Sequence, residues 1–225
     1  MGEMKMINSI INLSLGAASF IVTQVNKILP PLFAVIITLL IIKYRMPHIE
    51  INVEKKEGDK LNIIDFNTGE IRETYYAWRF LISNRKMPTF LQRLLFRETA
   101  INCYAKIKFI MSSSEEFIMR GRWASSPQIT HLAQENRFVK MLYPDPCNIK
   151  SGDGESLDCF IQFINEDVGY GWNNESYFNN WRTPEYKLKK GQHKVIVTVN
   201  LQNGIEVSKE FKVSVDSNWQ KTTLE

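Results

Sequence analysis

Residue types that commonly carry out catalysis or bind metals are sparse and scattered along this sequence. The three histidines, His48, His131 and His193, fall in three separate predicted elements, which favours surface or packing roles over a shared site. The chain contains no Gly-x-Ser-x-Gly elbow, no phosphate-binding glycine loop and no His-Glu-x-x-His motif. The acidic stretch 153–158 could bind calcium but lacks the spacing of a helix–loop–helix calcium loop, so a solvated turn is the simpler interpretation. We therefore expect no enzymatic activity, no metal and no cofactor.

The three cysteines form neither a recognisable zinc site nor a closed disulfide framework. Cys103, Trp123 and Cys159 follow the order of antibody-type domains, but Leu157 stands where those domains carry a tyrosine. Free cysteine is among the most buried residue types. We therefore predict two separate buried thiols at Cys103 and Cys159, with a disulfide between them as the less favoured alternative.

A basic segment stands out because its charge of +4 equals the formal net charge of the whole chain, and no acid interrupts it. Its basic residues are Arg85, Lys86, Arg93 and Arg97. Between them, Thr89 and Gln92 have the spacing of a capping box, and the apolar residues of 90–95 share one helical face. One interpretation is a short helix with solvated arginines that closes one end of the fold. The other is contact with an anionic membrane surface or an acidic partner.

A second segment, residues 170–186, combines six aromatic residues with four asparagines. The candidate binding residues in it are Tyr170, Trp172, Tyr177 and Trp181. Such loops can stack on sugars, bases or peptide side chains, and they can also simply plug the open end of a β-sandwich. Glycines at 169 and 171 favour a protruding turn. We therefore expect an exposed Trp172, and a buried Trp181 nearer the return to the sheet.

The amino-terminal 46 residues have the composition of a membrane anchor. Only Lys27 interrupts the uncharged stretch from residue 7 to residue 42, and residues 28–45 are just long enough to span a bilayer. The more polar residues 7–26 form either an interfacial helix or the first half of a helical hairpin, and the sequence does not separate the two. Five basic residues follow the apolar region, which places the remaining chain in the cytoplasm by the positive-inside rule. They are Lys43, Arg45, Lys55, Lys56 and Lys60.

From residue 47 onward the apolar residues alternate with polar ones, which is typical of strands with one buried face. Three sets predict inward-facing positions on three strands: Tyr76, Trp78, Phe80 and Ile82; Ile101, Cys103, Ala105, Ile107 and Phe109; and Leu157, Cys159, Ile161 and Phe163. Seven to nine short strands in the remaining chain predict a mainly β fold with two packed sheets.

The last predicted hairpin allows an inference about its register. The apolar residues of 195–201 share one parity with those of 205–215, so a two-residue turn would expose half of them. A three-residue loop, Gln202 to Gly204, keeps both sets on one face, with Gly204 in the left-handed conformation.

Four strings within this region resemble uncharacterised immunoglobulin-like domains of archaea and bacteria, which often lie behind an amino-terminal membrane segment. They are residues 78–84, 102–109, 121–127 and 188–191. The resemblance covers roughly residues 47–216 and implies an immunoglobulin-like β-sandwich over residues 47–225. It implies no activity, because its motifs are structural. Insertions at about 85–97 and 167–186 depart from the pattern, so a partner of such domains does not transfer directly.

Composition narrows the function classes that remain. With 44% apolar and 23% charged residues the chain can bury a core, and a net charge of only +4 argues against a dedicated nucleic-acid binder. We expect a membrane-anchored, non-enzymatic module that binds a protein partner at the cytoplasmic face of the cell membrane. The alternative is an extracytoplasmic surface module that binds glycan through residues 170–186, which requires the opposite topology.

Overall fold

The computed structural model describes residue 24, residues 27–65, 68–93 and 95–127, residue 139, and residues 144–225. These residues divide into two compact units. The first comprises the described residues up to 46 together with residues 89–96, and the second comprises residues 47–88 and 97–225. The predicted first half of a hairpin, residues 7–26, lies outside the described residues except for residue 24.

The first unit contains helix α1 (Lys27–Arg45), which matches the predicted span. Its 19 residues extend about 28 Å at 1.5 Å per residue, which is long enough to cross the apolar core of a bilayer. Pro30 and Pro31 are the fourth and fifth residues of α1, and proline lacks the N–H group that pairs with the carbonyl four residues earlier. The apolar side chains of α1 remain exposed, as in Leu39 with 60% of its surface accessible.

The described residues 89–93 of the same unit form turns and not the predicted short helix, which is wrong. A turn-like hydrogen bond joins the Leu95 N–H group to the Leu91 carbonyl at 2.8 Å. Nucleating a helix is unfavourable, and a segment this short needs a buried apolar face to offset that cost. Phe90 and Phe96 instead remain 74% and 67% exposed. The Arg45 guanidinium lies over the Phe96 ring, 4.7 Å from its centroid.

The second unit is built from β-strands connected by turns. In chain order its described strands are β1 (Ile49–Val53), β2 (Asp59–Ile64), β3 (Ile71–Asn84), β4 (Ala100–Ile110), β5 (Glu116–Arg120), β6 (Arg122–Trp123), β7 (Cys147–Ile149), β8 (Gly154–Phe163), β9 (Gly169–Gly171), β10 (Lys187–Leu188), β11 (Gly191–Asn200), β12 (Glu206–Val215) and β13 (Thr223–Leu224).

These strands form two antiparallel sheets. The first sheet has the order β1-β3-β8-β9-β10, with β2 also paired to β3 and β6 to β8. The second has the order β13-β12-β11-β4-β5, with β7 paired to β4. The two sheets bury one apolar core between them, where Phe80 of the first sheet meets Phe211 of the second with ring centroids 4.6 Å apart. The predicted mainly β fold with two packed sheets is confirmed.

Two β-bulges change which residues face this core. In β8 the register against β3 shifts at Cys159, so Leu157 and Phe160 face the core. Ile161 and Phe163, which simple alternation placed with Leu157, belong to a separate apolar cluster. In β4 the register shifts between Ala100 and Cys103, next to Asn102 with a left-handed φ of 48°. Ala100 is therefore buried, and the inward position predicted for Ile101 is wrong because that side chain is half exposed.

The hairpin between β11 and β12 has the predicted register. Val199 pairs with Val207, and the Leu201 N–H group donates to the Ile205 carbonyl at 2.9 Å. Gly204 has a φ of +80°, which is the left-handed conformation that glycine adopts most easily. The apolar residues of both strands consequently face the core together.

Candidate functional site

The aromatic segment 170–186 covers the outer face of the first sheet. It packs on a second apolar cluster, separate from the core between the sheets. Trp172 meets Tyr75 of β3 edge-on at 6.2 Å, and Trp181 stacks with the same ring at 6.4 Å. Tyr170 and Tyr177 are both 8% exposed. The two interpretations were ligand recognition and packing against the fold. Packing fits three of the four candidate aromatic residues, namely Tyr170, Trp172 and Tyr177.

The exposure predicted for the two tryptophans is reversed. Trp172 is buried, with 4% of its surface accessible, and Trp181 is half-buried. Gly171 does not start a protruding turn, because it lies in β9 and pairs with Phe160 of β8. The glycines at this point permit close packing instead: a Cβ atom on Gly171 would come within 2.9 Å of the Met119 sulfur.

A buried ion cluster lies beneath this segment. Asp158 has no accessible surface, accepts a hydrogen bond from Arg79 Nε at 2.8 Å, and pairs with Arg122 through its other oxygen. Burial raises the pKa of the Asp158 carboxyl, and the two guanidinium groups oppose that shift. The Arg79 guanidinium also lies 5.1 Å from the Trp172 ring centroid. The aromatic side chains thus enclose the charged groups of Asp158, Arg79 and Arg122. This ion cluster supports the packing of residues 170–186 on the first sheet.

Asparagine and serine side chains fix the conformation of the segment internally. The Ser176 hydroxyl donates to the Gly171 carbonyl at 2.9 Å, and the Ser176 N–H group donates to Asn173 Oδ1 at 3.1 Å. Burial raises the pKa of the Tyr177 hydroxyl, and the positive charge of Arg122 opposes this shift. Asn173 and Ser176 therefore serve the turn itself and are not presented to a ligand.

Trp181 is the member of the segment that combines partial exposure with an unusual backbone. Asn180 and Trp181 both have left-handed φ values, 46° and 62°, and such strain in a bulky residue often marks a functional position. Both residues line a concavity of about 370 Å³ together with Glu73 and Arg182. Arg182 is held there by hydrogen bonds to Glu73 at 2.9 and 3.1 Å. One aromatic side chain and several polar ones thus surround an open volume.

The four candidate basic residues do not share one compact unit. Arg93 belongs to the unit of α1, whereas Arg85, Lys86 and Arg97 belong to the β domain. Arg85 lies 3.3 Å from Glu50, and Lys86 is exposed. Two guanidinium nitrogens of Arg97 are enclosed by protein, and burial together with the Arg85 charge lowers the Arg97 pKa. Arg97 is therefore not the fully solvated arginine that the helical interpretation implied.

The described residues contain no group of three or more His, Cys, Asp or Glu side chains that could hold a metal ion. His193 is buried with Nε2 2.6 Å from the Lys189 carbonyl, and His48 lies 3.8 Å from Glu50. His131 lies outside the described residues. Asp158 of the acidic stretch is enclosed with its arginines, whereas Asp153 is exposed at a turn.

All three cysteines are free, and Cys103 and Cys159 are buried, as predicted. The thiol nearest to Cys103 is that of Cys147, its direct partner across the β4–β7 pair. Sequence reasoning missed this pair because the three-residue strand β7 shows no alternation long enough to detect.

No protein-family model matches this chain, and no curated protein matches it. The described residues form a mainly β domain of two packed sheets, preceded in the chain by an apolar helix of membrane-spanning length.

Proposed function

We propose that this protein is a membrane-anchored, non-enzymatic interaction module. In this proposal its β domain is an immunoglobulin-like sandwich that positions a protein partner at the cytoplasmic face of the cell membrane. The observation that carries the proposal is helix α1, which exposes apolar side chains along 19 residues and is separated from β1 by three residues. Water solvates such a surface poorly, and a bilayer removes it from water.

Residues 89–96 support a second lipid contact beside the helix. This segment belongs to the unit of α1 and exposes Phe90, Phe96 and Arg93. Aromatic and basic side chains together are typical of segments that lie in the interface between bilayer and water. The Arg45–Phe96 contact holds this segment against the last residue of the helix. The apolar rings would enter the interface while Arg93 meets the lipid phosphates.

Topology is tested by cysteine labelling from outside intact cells. Lys60 is exposed on β2, so a Lys60→Cys variant places an accessible thiol there. A Cys147→Ser background removes the native thiol that is only half-buried. A membrane-impermeant maleimide should label this variant only after the membrane is permeabilised. Labelling of intact cells would place the β domain outside and contradict the cytoplasmic proposal.

Lipid contact is tested by flotation of a fragment of residues 47–225 with anionic vesicles of phosphatidylglycerol and phosphatidylcholine. Arg93→Glu changes the local charge by two units, and at about 1 kcal/mol per charge this predicts roughly 30-fold weaker binding at low salt. Lys187→Glu, an equal charge change at an exposed β10 residue, is the matched control and should have a much smaller effect. Equal losses in the two variants would exclude this contact.

A glycan-binding module on the outer face is a second candidate, and the concavity beside Trp181 favours it. Sugars stack on half-exposed tryptophan, and the polar side chains of Glu73 and Asn180 could accept or donate hydrogen bonds to hydroxyl groups. Titration with a panel of soluble oligosaccharides, read by tryptophan fluorescence, tests it. A response abolished by Trp181→Ala and kept by the exposed-aromatic control Tyr104→Ala would favour this candidate.

A further inference from the structure

Cys103 and Cys147 occupy directly opposite positions on two antiparallel strands. Cys103 lies in β4 and Cys147 begins β7, and the two residues are register partners. Opposite residues of an antiparallel pair have Cα atoms about 4.5–5.5 Å apart, and disulfides require about 4.4–6.8 Å. The two thiols are close enough to shift each other's pKa, which is lowered for Cys103 and raised for Cys147. The register pairing thus places the two cysteines at a separation that a disulfide can bridge.

The surroundings of the pair fix this geometry from both strands. The N–H group of Asn102, which has a left-handed conformation at the bulge, donates a hydrogen bond to Asn148 Oδ1 at 2.8 Å. The Trp123 indole N–H group donates to the Cys103 carbonyl at 3.2 Å. The first bond joins β4 to β7 beside the thiols, and the second ties the backbone of Cys103 to β6.

The two thiols differ in access. Cys103 has no accessible surface, whereas Cys147 is half-buried. Cys159 is fully enclosed in β8, and burial raises the pKa of its thiol well above the ordinary value. A reagent in water therefore reaches Cys147 first, and Cys103 stands behind it as the resolving thiol.

We propose that Cys103 and Cys147 form a reversible disulfide that fastens β7 to β4, with a low-molecular-weight disulfide such as oxidised glutathione as the oxidant. The Cys147 thiolate attacks one glutathione sulfur, forms a mixed disulfide and releases one glutathione thiolate. The Cys103 thiolate then attacks the Cys147 sulfur and releases the second glutathione. The protein loses two protons and two electrons, and one oxidised glutathione becomes two reduced molecules.

The contact shifts the two thiols in opposite directions. It lowers the pKa of the Cys103 thiol, whereas together with burial it raises the pKa of the Cys147 thiol. The accessible Cys147 therefore attacks through a small thiolate fraction, and the rate of oxidation should rise with pH.

The experiment uses full-length protein in detergent, incubated with oxidised glutathione and then unfolded and alkylated. Intact mass should show one alkylated cysteine and a loss of two hydrogens, and peptide mapping should join Cys103 to Cys147. Dithiothreitol should restore three alkylated cysteines. The oxidised form should also unfold at a higher temperature than the reduced form, because the bond closes a long loop in the unfolded chain.

Three single variants separate the roles. Cys103→Ser should stop at one glutathione attached to Cys147, Cys147→Ser should remain unmodified in the folded state, and Cys159→Ser should still form the bond. Three alkylated cysteines after oxidation, a bond that involves Cys159, or a covalent dimer would each overturn the proposal. The outcome is independent of the proposed membrane role, because the chemistry depends only on the geometry within the β domain.

Discussion

Trp172 provides the sharpest test of whether the aromatic segment packs on the first sheet or recognises a ligand. Its side chain is 4% exposed and lies edge-on to Tyr75 and beside the Arg79 guanidinium. Trp172→Ala removes nearly all of this contact and leaves a cavity over the sheet. Replacing a buried tryptophan by alanine lowers the free energy of unfolding by about 3–5 kcal/mol. In a domain of this size that corresponds to a fall in Tm of roughly 6–20 °C.

Thermal unfolding of the β domain, followed by circular dichroism, measures the effect. Tyr104→Ala is the control, because that aromatic side chain is 51% exposed and its removal should change stability by less than about 1 kcal/mol. If Trp172→Ala folds and loses no more stability than Tyr104→Ala, the segment does not pack on the sheet as described. Trp172 would then return as a candidate for ligand recognition.

Three further predictions concern the core, the ion cluster and a buried tyrosine. Residues 47–225 alone should give the circular dichroism of a β protein, with Phe109→Ala losing about 3–5 kcal/mol in urea; a mainly helical spectrum would contradict the fold. Arg122→Met should destabilise by about 3–5 kcal/mol because it leaves Asp158 with one partner, whereas Lys108→Met, which breaks an exposed pair, should lose less than about 1 kcal/mol in the same assay. Burial raises the pKa of Tyr75 from 10.0 to about 12, so the unfolded chain ionises first and stability should fall as pH rises between those values; an ultraviolet titration in which every tyrosine of the folded domain ionised near pH 10 would disagree.

The sequence alone was sufficient where local pattern and burial coincide. Helix α1 follows from an uncharged apolar stretch, since length and composition determine whether a helix can span a bilayer. The β11–β12 register follows from parity, because a slip of one residue would expose half of the apolar side chains. Trp78, Phe80 and Ile82 likewise face the core as their alternation predicts.

Local pattern failed at the bulges and at the short strand β7. One extra residue at Cys159 reverses the parity of the rest of β8, and the sequence of β8 carries no mark of it. In the same way, Cys147 becomes the partner of Cys103 only when a three-residue strand adds to the sheet. The hydrophobic periodicity of a sequence describes the faces of one strand at a time. The neighbouring strand determines where a bulge occurs and whether a short strand such as β7 pairs.

Only the tertiary structure decided the burial of the aromatic segment. Trp172 is enclosed because β3 and β8 turn an apolar outer face toward it, and Asp158 is compensated by Arg79 and Arg122, which are 79 and 36 residues away. A tryptophan that follows a Gly-Tyr-Gly string has the same local sequence whether it protrudes or packs. Its exposure depends on what distant residues place over and under it, and long-range packing is the physical information that a local pattern does not contain.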